Sequence, residues 1–147
     1  MATFNKLNGF VEHMAEGVHV FGTHQLAVAL SNTAPGSEST PPTGATTACG
    51  LANVTQVSYT NLSSRNVTTS ASAQTSGTYK LTCSDLVLTS SGGSTGPFRY
   101  VYLYNDTPTS PADPLIGYYD YGSSITLASG ETLTIDFDGT NGVLQLA

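Results

Sequence analysis

The chain has 147 residues, enough for one domain, with 4 basic against 10 acidic side chains and a formal charge of −6. So few Lys and Arg cannot neutralise a phosphate backbone or an anionic lipid surface, which argues against nucleic acid and membrane as partners. Only 10% of residues are charged, against about 25% in soluble domains, and 17 Ser with 22 Thr supply a neutral hydroxyl surface instead.

No apolar run approaches the roughly 18 residues of a membrane span, and the polar start MATFNKLNGFVEHMAEG does not read as a signal peptide. Synthesis in a cytoplasm is therefore expected. Cys49 and Cys83 stand in no metal-ligand spacing; two free thiols are the expected default in that compartment, and a disulfide between them is the alternative, the more so if the protein ends up outside the cell.

The first segment reads as a helix. Phe4, Leu7, Val11, Met14 and Val18 recur at three- and four-residue steps, with Thr3 as candidate N-cap and Gly17 as the stop. A helix this short needs a partner for its apolar stripe. Two partners are open: the chain's own β-domain, or a neighbouring subunit that would receive residues 1–22 as an N-terminal arm. In the second case, removing the first 18 residues would leave a folded β-domain without its attachment.

From residue 23 to 147 the period changes to two. Leu26, Val28 and Leu30 alternate with small residues and read as a strand. The stretch 35–47 holds Pro35, Pro41, Pro42, Gly36 and Gly44, so it reads as a long exposed loop suited to contact. VTQVSYTNL has strand composition, and SRNVTTSASAQTS is polar on both faces, which suits an edge strand or an extended arm.

In TYKLTCSDLVLTS, Tyr79, Leu81 and Cys83 alternate until the phase slips at Asp85, as at a β-bulge. FRYVYLYND places Phe98, Tyr100, Tyr102 and Tyr104 on one face and Val101 with Leu103 on the other, the pattern of a central strand. Beyond the proline-rich PTSPADP, the segments PLIGYYDYG and SSITLASG lead to a turn at Ser129–Gly130. ETLTIDFDG then points Leu133, Ile135 and Phe137 inward, and GVLQLA adds a last short strand. Seven or eight strands with turns at short intervals predict a mainly β fold: an antiparallel β-sandwich or Greek-key barrel with a short N-terminal helix.

His13, His19 and His24 have no zinc-site spacing and read as surface or core side chains. Asp136, Asp138 and Asn141 resemble a calcium loop, but the glycine falls at the wrong place, and an Asx turn explains them better. Tyr118, Tyr119 and Tyr121 beside Asp120 form an aromatic patch that could take a glycan, or fill the core and a subunit interface. Arg65 and Arg99 read as partners for carboxylates. No nucleophile elbow or phosphate loop is present in the sequence. No catalytic residue, metal or cofactor is assigned, and the chain is expected not to be an enzyme.

The segments FNKLNGFVEHMAEGVH, LAVALSNTAP, YTNLSSRNVTTSASAQTSGTYKL, GPFRYVYLYND and DPLIGYYDYGSSITLASGETLTIDF resemble small virion structural proteins of tailed bacteriophages. The resemblance implies a β-rich subunit present in many copies. Capsid decoration (cement) proteins in such families are about this size, often trimeric, and reinforce joins between major capsid subunits on the outer shell. The expected partners are thus the major capsid protein or other virion subunits and further copies of the chain. Phe4, Leu7, Val11, Met14, Pro41 and Pro42 are the candidate anchors. The alternatives are a tail, neck or baseplate subunit, or a host-glycan binding module on a fibre.

Overall fold

The computed structural model describes residues 2–147, the side chain of Thr46 excepted. The chain begins with β1 (Phe4–Lys6), α1 (Asn8–Ala15) and β2 (Leu26–Ser31), followed by two 3₁₀ turns at Thr46–Ala48 and Leu51–Asn53. It continues through β3 (Asn66–Val67), β4 (Thr69–Thr75), β5 (Thr78–Cys83), β6 (Leu86–Thr89) and β7 (Thr95–Asn105). β8 (Leu115–Leu127), β9 (Thr132–Ile135) and β10 (Leu144–Leu146) complete it. The fold is mainly β and antiparallel, as the alternation predicted, with ten strands among the described residues where seven or eight were expected.

A five-stranded sheet in the order β1-β8-β7-β2-β3 forms one layer, and a three-stranded β10-β5-β4 sheet with a β6-β9 pair faces it. Leu26, Val28 and Leu30 on β2 lie on the same face as Val101 and Leu103 on β7 and meet Leu81, Leu88, Ile135 and Phe137 from the smaller sheets. This is a sandwich core. The opposite face of the large sheet carries Ala27, Ala29, Tyr100, Tyr102 and Tyr104, covered by Leu7, Cys49 and Val54. Small Ala27 and Ala29 sit directly opposite Tyr104 and Tyr102, which makes room for the rings. Both faces of β7 are buried, as its sequence implied.

Four local expectations change. Residues 4–6 are not helical: they pair with Tyr119, Tyr118 and Gly117 of β8, and the Leu7 N–H continues the ladder by donating to the Ile116 carbonyl at 3.1 Å. Gly117 permits this approach, since a side chain there would run into the Phe4 ring. The helix therefore starts at Asn8 with extended Leu7, not Thr3, at the N-cap, and it buries Gly9, Phe10 and His13. Gly17 does end it: at φ +74° it closes a Schellman motif, with Val18 N–H on the His13 carbonyl at 2.9 Å.

The phase slip at Asp85 is not a bulge. Ser84 and Asp85 carry the chain from one small sheet to the other, with β5 pairing β4 and β10 while β6 pairs β9. The Asp85 carboxylate accepts the Phe137 N–H at 3.0 Å and so pins the crossover. Phe98 lies on the core face with Val101 and Leu103, opposite the tyrosines, because register breaks between Phe98 and Tyr100. The partner strand advances from Asp120 to Ile125 over that step, so Tyr121–Ser124 loop outward. Finally, VTQVSYTNL forms no strand; it touches β2 through a Ser31–Gln56 bridge and a Tyr59 hydroxyl that accepts the Leu30 N–H at 2.9 Å.

Candidate functional site

The candidate anchors divide by burial. Leu7 is 2% exposed and Pro42 is buried, so neither can enter a partner groove from this state. Phe4, Met14 and Pro41 are half-buried, with the Phe4 ring 5.0 Å from that of Tyr119. Only Val11, 50% exposed, stands out from the N-terminal segment as an anchor should, and Val20 at 47% joins it. The periodic stripe thus missed Val20, which lies beyond the helix where helical spacing gives no signal.

The 35–47 loop is largely exposed, yet it is not detached. Thr43 lines a groove with Phe4–Asn8 and Tyr118, and Glu38 lies near enough to Tyr102 to act on it electrostatically. Tyr102 is fully buried and, among the described residues, no group bonds its hydroxyl. Burial first, then the Glu38 charge, pushes that phenol up from its ordinary pKa. Because an unpaired buried hydroxyl costs about 1–3 kcal/mol, Tyr102→Phe is expected to raise stability by about 1 kcal/mol. That would appear as a Tm higher by roughly 2–4 °C in a thermal melt.

The tyrosine patch is split by strand alternation. Tyr118 packs on Tyr102 and Tyr100, with centroids at 5.6 and 6.3 Å, on the outer face. Tyr119 and Tyr121 instead line a cleft of about 210 Å³ between β8 and the open edge of β9, with Leu133, Thr134, Ile135 and Asp136. The acid expected beside the tyrosines, Asp120, is engaged elsewhere: Arg99 grips it through two bonds of 2.7 and 2.8 Å. That grip, with the Gly122 N–H, holds the Asp120 carboxyl below its usual range.

Asp136 is the carboxylate that faces the cleft. Asp138 caps the turn after β9, accepting the N–H groups of Thr140 and Asn141 at 2.9 and 2.8 Å, which is the expected Asx turn. Among the described residues Arg65 meets no carboxylate; its guanidinium lies 3.9 Å over the Tyr59 ring and donates to the Val28 carbonyl.

The three histidines converge although their spacing gave no sign of it. The Asn105 side-chain amide, at the end of β7, donates to Nδ1 of His19 at 3.1 Å and Nδ1 of His24 at 2.9 Å. The His13 ring lies 5.9 Å from that of His19, and Phe10 and Phe21 pack around them. His13 Nδ1 and His19 Nε2 are buried with no bonding partner among the described residues. Desolvation, then the neighbouring His13 and His24, lowers His19 to about 4. Burial also lowers His13, against the pull of Glu16 and Glu12. Among the described residues no group of three or more His, Cys, Asp or Glu is placed to hold a metal ion, and no helix is long and apolar enough to cross a membrane.

Cys49 and Cys83 are free, buried in the outer and inner clusters respectively. No family model, no curated protein and no solved structure matches this chain.

Proposed function

We propose that this chain is a non-enzymatic structural subunit of a tailed-phage virion, and within it a decoration protein that binds the assembled head lattice. The observation that carries the reading is the pair of outward valines, Val11 and Val20, on the N-terminal segment of a body with little charge. Two exposed aliphatic side chains on a segment anchored by β1 and Phe10 offer a small, fixed apolar foothold for a partner. The phage-like segments quoted above make the major capsid protein the partner of choice. A protein that binds only the assembled lattice stabilises it by linkage.

Purified chain should bind expanded capsids lacking it, and immunogold on intact virions should label the head. Val11→Asp with Val20→Asp should abolish that binding and leave the far-ultraviolet spectrum unchanged. Gold confined to the tail would overturn the decoration reading and favour a tail, neck or baseplate subunit.

A second reading rests on the Tyr119–Tyr121 cleft, where aromatic faces, the Thr134 hydroxyl and Asp136 offer stacking and hydrogen bonds to a sugar. Gold at the tail tip, with host-cell binding lost in Tyr121→Ala, would favour that reading.

A further inference from the structure

The strand edges of this fold are unequal. Among the described residues, β1, β3, β9 and β10 end their sheets or sheet pair with only three, two, four and three residues. Short edges of this kind offer little to an incoming strand. β6 has only four residues, and the 62–63 segment covers its end through the Ser63 N–H on the Thr89 carbonyl and the Leu62–Ser90 bridge just beyond. β4 differs. It runs seven residues, TSASAQT, at the end of the three-stranded sheet, with no charge and no proline. Its one irregularity lies near its start, between Thr69 and Ala71, leaving Ala71–Thr75 in unbroken register with β5.

The hairpin geometry fixes which backbone groups face outward. β4 and β5 are joined by Ser76 and Gly77, both at positive φ, 52° and 85°, as a two-residue type I′ turn requires. The pair flanking such a turn, Thr75 and Thr78, exchanges both hydrogen bonds, and bonded and unbonded pairs then alternate. Ala73 and Ala71 therefore bond inward to β5. The N–H and C=O groups of Ser72 and Gln74 point to the open edge.

Side chains alternate in the other direction. Ser72 lies on the inner face, its hydroxyl 2.8 Å from that of Tyr79, and a side chain at Gly22 would touch it there. Ala71, Ala73 and Thr75 lie on the outer face with Lys80 and Thr82, and all three are exposed.

We propose that β4 is a self-association edge, pairing antiparallel with β4 of a second copy of this chain about a two-fold axis at Ala73. In that register Ser72 of each copy meets Gln74 of the other, and the outward groups of both are satisfied. Ala73 meets its own copy as an unbonded pair, the position where Cα atoms approach to about 4.5 Å and a small side chain fits best. The two three-stranded sheets become one six-stranded sheet. No like charges meet at the seam, since β4 itself carries none and Lys80, the nearest charged side chain on the paired strand, lies one strand back with an ammonium N–H on the Thr140 carbonyl at 2.6 Å. An unrelated strand could use the same edge, but only a second copy places Ala opposite Ala at the axis. The pairing goes beyond the decoration reading and stands without it.

The test is sedimentation velocity on the full chain over a concentration series, with folding followed by circular dichroism. Wild type is expected to show a concentration-dependent dimer. Ala73→Lys, on the exposed outer face, sets two like charges across the axis and should weaken dimerisation at least about tenfold while the fold persists. Ala73→Glu alone should also weaken it, and an equimolar mixture of the Lys and Glu variants should restore a dimer. A wild type that stays monomeric, or sediments as a trimer, overturns the proposal. So does an Ala73→Lys variant that dimerises like wild type, or a mixture that fails to recover association.

Discussion

Phe10→Ala is expected to lower unfolding stability by about 3–5 kcal/mol, as deletion of a buried aromatic ring does, whereas Val11→Ala should stay within about 0.5 kcal/mol. The two residues are neighbours on α1, yet Phe10 is 3% and Val11 50% exposed. Phe10 packs between Phe21 and His19, with centroids at 6.2 and 5.2 Å. Urea midpoints for the two variants would check this, and a costly Val11→Ala with a mild Phe10→Ala would place the helix in the opposite phase. Removing the first 18 residues should by the same physics unfold the chain. It strips Leu7 and Phe10 from the core and the β1 ladder from β8. The N-terminal segment is part of the body, and Val11 and Val20 are its large apolar side chains left exposed.

Acidification is expected to cost about 3 kcal/mol between pH 6.5 and pH 4 through His19 alone. In the folded chain His19 titrates at about 4, and unfolded at its ordinary 6.5. The unfolded state therefore takes up the proton first, so the His19 contribution is intact above pH 6.5 and falls away as pH drops to about 4. His13, also lowered by burial, acts in the same direction. Protonation has a geometric cost too, because an N–H at His19 Nδ1 would point at the Asn105 amide that now donates to it.

Asp120 and Asp138 are lowered from 3.8 in the folded state, so their loss begins only at the acid end of this window and runs on below it. Urea midpoints at pH 7, 5.5 and 4.5 should fall steadily for wild type. His19→Phe, which keeps the aromatic contacts, should flatten that profile. An unchanged slope in the variant would move the acid sensitivity to another group.

The strict alternations were legible from the chain. Leu26–Leu30, Tyr79–Cys83 and Leu133–Phe137 each point as the period of two requires, because each turns an apolar face to the same core cluster. The polar TSASAQT run was legible as an edge for the same reason: a strand with no apolar face has nothing to bury.

What sequence could not carry were events decided by a distant partner. Phe98 changes face because β8, more than twenty residues later, loops out at Tyr121–Ser124. The first residues take strand geometry because Gly117 leaves space for Phe4. The histidines meet because Asn105, more than eighty residues on, draws two of them to one amide. The tyrosine patch failed differently: adjacent residues on a strand face opposite ways, so Tyr118 and Tyr119 could not line one cleft.

The large sheet divides the interior into two compartments, and each holds one cysteine: Cys83 within the sandwich, Cys49 beneath the helix and turns. Burial raises both thiols to about 11, so at neutral pH neither offers reactive thiolate until its own compartment opens. The molecule thus carries two independent clocks. The rate at which a thiol reagent modifies Cys49 times the lifting of the outer cover, and the rate at Cys83 times the parting of the two sheets.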